Sequence, residues 1–169
     1  MHRKALFLDR DGVVNIDKGY VYQITAFEFV AGIFDICRYF QEQGYLLIIV
    51  TNQSGIARKL YTEADYAQLT EWMVQQFKAA GITINKVYHC PDHPDFTKPS
   101  QWRKPNPGML LEAAKAFELN LTESVLIGDK PSDLEAAKRA GIKKAFLTKT
   151  NEPLDLTTIL TQLQNTSKW

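Results

Sequence analysis

Cysteine is nearly absent from this 169-residue chain, with Cys37 and Cys90 the only two. A disulfide-stapled scaffold is thereby excluded, and a cytoplasmic pair of this kind stays reduced. Cys37 falls in a helical pattern and reads as a small core residue. An excess of one charge sign is lacking too: 20 Lys and Arg stand against 19 Asp and Glu, a net charge of +1. That balance offers no electrostatic footprint for nucleic acid or a membrane surface. No apolar run is long enough to span a bilayer, and Met1–Lys4 leads straight into a strand without the apolar stretch of a signal peptide. A cytoplasmic protein is expected. Internal repeats, low-complexity tracts and Pro/Gly/Ser linkers are also missing. Residues 1–169 are therefore expected to form one domain, long enough for a real core.

What is present is an alternation of short apolar runs and amphipathic stretches. Strands are expected at Lys4–Leu8, Tyr45–Val50, Lys86–His89, Val125–Ile127 and Ala145–Leu147. Between them, helices are expected over Ile33–Gln43, from an N-cap at Thr62 to about Ala80, from Pro107 to Phe117, and over Ser132–Ala140. A last helix is expected at Leu156–Leu163, with Asn165–Trp169 a loose tail. Such alternation predicts an α/β fold, a Rossmann-like doubly wound parallel sheet with helices on both faces. Two irregular segments interrupt it, Asn15–Val30 and the proline-rich Pro91–Pro105. Both follow strand ends on one edge, where they are placed to wall a pocket.

The first strand ends in Asp9-Arg10-Asp11-Gly12. Strands disfavour Asp and Gly, so the strand stops there with two acids at its carboxyl edge, where open α/β sheets bind ligands. Two acids so close call for a cation, and oxygen ligands select Mg²⁺. Asp9 could then act as a nucleophile and Asp11 as an acid and base. Taken alone, Asp-x-Asp-Gly could be a simple turn. After the second strand comes Thr51-Asn52-Gln53-Ser54-Gly55, a hydroxyl and a run of N–H groups suited to phosphate oxygens. Arg103-Lys104-Pro105 adds fixed positive charge, and Asp129 with Asp133 after the fourth strand adds carboxylates for a cation. Each element alone has an ordinary structural explanation, but their joint occurrence at successive strand ends points to phosphate chemistry.

On these residues the chain resembles the haloacid dehalogenase (HAD) superfamily of phosphatases. Asp9–Gly12 resembles the first motif, Thr51-Asn52 the second, Lys104 the third, and Gly128-Asp129-Lys130 with Asp133 the fourth. Gly19-Tyr20, Thr51–Arg58 and Arg103–Met109 are similar to the D-glycero-D-manno-heptose 1,7-bisphosphate phosphatases, whose branch includes the histidinol-phosphate phosphatases. The resemblance implies a HAD-like fold without a separate cap domain. It also implies an aspartyl-phosphate on Asp9, proton transfer by Asp11, and phosphoryl binding by Thr51 and Lys104. Mg²⁺ would be held by Asp9, the Asp11 carbonyl and Asp129. Asn52, Gln53, Arg58, Arg103 and Lys130 would bind substrate, the two arginines taking a second phosphate. The implied partner is a small sugar bisphosphate, cleaved at its C7 phosphate by a monomer during nucleotide-activated heptose synthesis for lipopolysaccharide or other surface glycan. Neither nucleic acid nor membrane is an expected partner. Alternatives are a histidinol-phosphate phosphatase, another small phosphomonoesterase, and an inactive phosphate-binding regulatory domain.

The pattern breaks in one place. The branch often carries a zinc loop, Cys-x-His followed by Cys-x-Cys. Here Asp92 follows Cys90-Pro91, and Ser100 and Trp102 stand for the later pair. Cys90 and His93 alone fall short of the four ligands of a structural zinc site; His89 and Asp92 could join them, but with the later thiolate pair absent zinc is not expected. The loop must then be held by prolines, by packing of Phe96 and Trp102, and by hydrogen bonds.

Overall fold

A computed structural model describes residues 2–165. Five parallel strands form one sheet: β1 (Ala5–Leu8), β2 (Leu46–Asn52), β3 (Lys86–Cys90), β4 (Val125–Gly128) and β5 (Lys144–Leu147). Their spatial order is β3-β2-β1-β4-β5, so β1 is central. Its side chains divide by the two-residue period of a strand. Leu6 and Leu8 face a core built with α1 (Ile33–Glu42), α2 (Glu63–Ala79) and α5 (Leu156–Asn165). Ala5 and Phe7 face the other core, built with α3 (Gly108–Phe117) and α4 (Pro131–Ala140). Both faces are covered, which is why β1 reads as an unbroken apolar run.

Element by element, the expected helices and strands are present. Thr62 caps α2 with a reciprocal box: its hydroxyl accepts from the Asp65 main chain at 3.1 Å, and the Asp65 carboxylate accepts from the Thr62 main chain at 2.9 Å. Cys37 lies fully buried in α1. Three boundaries differ in ways that matter. Tyr45 falls outside β2, its N–H still bonded to Phe40 at the end of α1. At its other end β2 runs on through Thr51 and Asn52, because β3 continues beside it and pairs them with His89 and Cys90. These two residues therefore sit in the ladder rather than in the turn after it. Asn165 belongs to α5 and not to a tail; the remainder of the expected tail lies outside the described residues.

Topology fixes the functional edge. From β1 the chain crosses to β2 on one side and later returns to β4 on the other. Leu8 pairs with Ile49 of β2 and Ile127 of β4, so the residues that follow these strands emerge together. Ligands bind at such a switch point. Among the described residues no helix is long and apolar enough to cross a membrane.

Candidate active site

Asp9 is the first residue past β1, and its N–H still bonds to the Ile127 carbonyl of β4 at 3.1 Å. The Asp9 Oδ1 accepts from Lys104 Nζ and from the Arg10 main chain, each at 2.9 Å. Lys104 Nζ also donates to Asp133 Oδ1 at 2.6 Å and to the Val50 carbonyl at 2.9 Å. All three charged groups are buried. Burial raises the Asp9 carboxyl well above its ordinary value; Lys104 pulls it down, while Asp133 and Asp129 push it up again. The ammonium of Lys104 is held above its ordinary value despite burial, because Asp9 and Asp133 favour its charged form.

One carboxylate oxygen from each of Asp9, Asp129 and Asp133 lies within 4.8 Å of the other two. Ionised, three carboxylates against one ammonium leave two negative charges in excess. Asp129 Oδ1 is buried with no hydrogen-bond partner, an orphan that a cation would satisfy. Asp133 is engaged differently. Its Oδ1 takes Lys104, and its Oδ2 takes the main-chain N–H groups of Asp129 and Lys130 at 3.1 Å each. Asp133 thus brackets the loop and the lysine, which leaves Asp9 and Asp129 as the acids that could give an oxygen to a cation. Glycine is required at position 12, since a Cβ there would come within 2.3 Å of Asp129 Oδ2.

Asp11 lines a cavity of about 520 Å³ that Asn52, Gln53, Arg103, Lys104 and Lys130 also line. Its Oδ1 accepts from Arg10 at 2.9 Å and Asn15 at 3.1 Å, and its Oδ2 from Gln53 at 3.0 Å. The same Gln53 amide donates to Thr51 Oγ1 at 2.9 Å, and its carbonyl accepts from the Tyr61 hydroxyl. Burial raises the Tyr61 phenol well above its ordinary value, which keeps it a donor. Asn52 is spent as well: its side chain exchanges two hydrogen bonds with the Lys104 main chain, at 3.0 and 3.2 Å. The sequence pattern suggests Asn52 and Gln53 as substrate ligands. In the structure they face the cavity with their amides committed to holding Lys104, Thr51 and Asp11.

The two arginines part company. Arg103 lines the cavity, and its Nη1 reaches the Asp92 carbonyl at 3.4 Å. Arg58 is exposed at the rim, its guanidinium 4.4 Å from the Phe96 ring and 5.8 Å from that of Tyr20. Tyr20 and Phe96 come from the two irregular segments, so Arg58 bridges both.

The Pro91–Pro105 segment is tied by its own short-range contacts. Thr97 Oγ1 donates to Asp92 Oδ1 at 3.1 Å, His93 Nδ1 accepts from the Asp95 main chain at 3.1 Å, and the rings of His93 and Phe96 meet edge to face at 5.3 Å. Trp102 packs edge-on against Tyr88 at 5.8 Å. Cys90 is free and buried.

Two residues that shape the site, Arg10 and Thr150, have no role assigned to them from the sequence. Arg10 is 1% exposed, and its Nη2 joins Asp11 to the Val21 carbonyl at 2.7 Å. Thr150 donates to Asp129 Oδ2 at 2.7 Å. Thr150 could have been suspected, because it follows the fifth strand on the same edge. Arg10 could not: a side chain between two exposed-looking acids gives no sign of burial.

Comparison with known proteins places the chain among relatives. A family model described as HAD-hydrolase-like matches residues 101–158. The chain is 51% identical over 147 residues to a D-glycero-alpha-D-manno-heptose-1,7-bisphosphate 7-phosphatase of Campylobacter jejuni, covering 87% of this chain and 83% of that one. It is 44% identical to the corresponding beta-anomer phosphatase of Yersinia pestis, covering 89% and 82%. The crystal structure of a D,D-heptose 1,7-bisphosphate phosphatase from B. bronchiseptica, complexed with magnesium and phosphate, superposes with a TM-score of 0.81 at 29% identity, covering 94% of this chain and 86% of that one.

Proposed function

Because the chain belongs to the heptose-1,7-bisphosphate 7-phosphatase family of HAD-like hydrolases, we propose that it removes the C7 phosphate of D-glycero-D-manno-heptose 1,7-bisphosphate, in the making of nucleotide-activated heptose for surface glycans. The observation that carries the reading is the convergence of Asp9, Lys104 and Asp129 beside a cavity that holds Asp11 at one wall and Arg103 at another.

The residues divide the work. Both hydrogen bonds to Asp9 from Lys104 and the main chain fall on Oδ1, so Oδ2 is the oxygen for attack on phosphorus. The bond to the sugar oxygen breaks as the aspartyl-phosphate forms, and Asp11 supplies the proton that this oxygen needs. Asp11 then takes a proton from the water that hydrolyses the intermediate. Arg10, Asn15 and Gln53 fix the Asp11 carboxylate from both sides, so its direction is set before substrate arrives. Lys104 offsets charge on the transferring group, and Thr51 is placed to hold one of its oxygens. Mg²⁺ held by Asp9, Asp129 and the Asp11 carbonyl would neutralise the phosphoryl oxygens and supply the positive charge that the acidic cluster lacks. Arg103, with Lys130 across the cavity and Arg58 at the rim, suits a second phosphate.

Histidinol phosphate is the competing substrate. Its cationic end would meet Arg103 and Lys130, which disfavours it. The test is kcat/KM with Mg²⁺ on both heptose bisphosphate anomers, a heptose 7-monophosphate and histidinol phosphate. A preference of about tenfold or more for a bisphosphate is expected from one charge-assisted contact. Equal or better turnover of histidinol phosphate would overturn the substrate assignment. No Mg²⁺-dependent turnover of any of them would favour the regulatory reading.

A further inference from the structure

We propose that Thr150 is a positioning residue for metal binding: its hydroxyl aims the Asp129 carboxylate. The inference rests on the reading that Asp129 holds the cation. Thr150 Oγ1 donates to Asp129 Oδ2 at 2.7 Å, and Oδ1 is left buried and unpartnered. One oxygen is thereby anchored and the other presented. Rotation of the carboxylate would break the anchor and turn Oδ1 away.

The loop that carries Thr150 is fixed at both ends. Thr148 extends the sheet by bonding to the Gly128 carbonyl at 2.9 Å, just before Asp129. Asn151, at a φ of 68°, donates its N–H to the Gly12 carbonyl at 3.0 Å. The Asn151 side chain grips the Asp17 main chain, accepting at 2.6 Å and donating at 3.2 Å. Gly12 closes the arrangement from below: a Cβ at that position would lie 2.3 Å from Asp129 Oδ2 and 3.1 Å from Thr150 Cγ2. Hydroxyl, carboxylate and glycine therefore pack without slack. Groups that orient a metal's ligands in this way are typically worth about 10- to 100-fold in metal affinity. Thr150 is itself exposed, and solvent can replace part of a lost hydroxyl, which puts the expectation at the lower end.

The experiment is calorimetric Mg²⁺ titration of the metal-free full chain in four forms: parent, Thr150→Val, Thr150→Ser and Asp129→Asn. Thr150→Val should raise the Mg²⁺ Kd about tenfold, and Thr150→Ser, which keeps the hydroxyl, should restore it to within about threefold. Circular dichroism of the metal-free protein should show the parent fold for all three Thr150 forms at the titration temperature. If Thr150→Val is poorly folded, Thr150→Ala is titrated in its place, with the same rise expected. Parent-like affinity in the hydroxyl-free variant, while Asp129→Asn loses Mg²⁺, overturns the role of Thr150 and leaves the proposed function standing. Parent-like affinity in Asp129→Asn overturns the metal assignment beneath both. A loss in Thr150→Ser equal to that in Thr150→Val shows that the hydroxyl by itself does not set the affinity, and also overturns the proposal.

Discussion

The two ends of the cavity are built on opposite principles. At the deep end, Asp9, Lys104, Asp129 and Asp133 are buried, and each is held by strand ends or by the first turn of α4. At the rim, Arg58, Tyr20 and Phe96 are exposed and lie on irregular segments. Interactions between buried charges are strong and tolerate no loss of a partner, whereas those at a wet rim are weaker and separable. The deep end therefore suits chemistry common to every substrate, and the rim suits the choice among them.

The largest break in that comparison should come from Asp9→Asn. The amide keeps the shape but cannot attack phosphorus, so turnover of any phosphomonoester should fall by about 10⁴-fold or more. Circular dichroism should show the fold intact. Residual turnover within about tenfold of the parent would remove Asp9 from its role.

Lys104→Ala should come next, and should act on stability and activity together. It leaves Asp9 and Asp133 buried without their common partner, a loss of about 3–5 kcal/mol measurable by urea unfolding. Monophosphate and bisphosphate should lose kcat/KM by the same factor. A selective loss would move Lys104 into the rim's role.

Asp11→Asn sharpens the deep end by leaving group. A sugar alkoxide needs a proton and an activated aryl phosphate does not. Phosphorylation by the sugar phosphate should slow by about 10²- to 10⁴-fold, and by the aryl phosphate far less. Rapid-quench measurement of the first turnover separates the two. Equal losses would show that Asp11 is not the acid.

The smallest effect, which tests the cavity wall between the deep end and the rim, is Arg103→Ala. One charge-assisted bond contributes roughly 1.5–3 kcal/mol, so the bisphosphate should lose about 10- to 100-fold in kcat/KM and a monophosphate little. Equal losses would place Arg103 with the deep end.

Much of the deep end was legible in sequence, because it is made by abrupt endings. An apolar run that stops in Asp9 or Asp129 announces a strand edge, and strand order does the rest. Thr51 and Asn52 were placed one element too late, since nothing local says that β3 continues beside them. Hydrogen-bond commitments were harder still. Gln53 and Asn52 look like free amides in sequence, and only the folded chain shows Tyr61, Asp11 and Lys104 occupying them. Arg58 shows the same limit at the rim, where two rings remote in sequence decide where its guanidinium rests.

The buried Arg10 has a consequence for anyone who would re-engineer substrate choice. With one nitrogen it holds both the Asp11 carboxylate and the Val21 carbonyl of the Asn15–Val30 segment. That segment also sinks Val21, Phe27 and Val30 into the core. Loop and acid are thus joined through one guanidinium, and grafting a foreign sequence there would disturb Asp11 along with the pocket wall. The Pro91–Pro105 segment meets the buried acids through Lys104, which bonds to Asp9 and Asp133. Its outer part, about Pro94 to Pro99, is the stretch best suited to exchange, because Ser100 and Gln101 are already bonded to Arg103, Asn106 and Gly108.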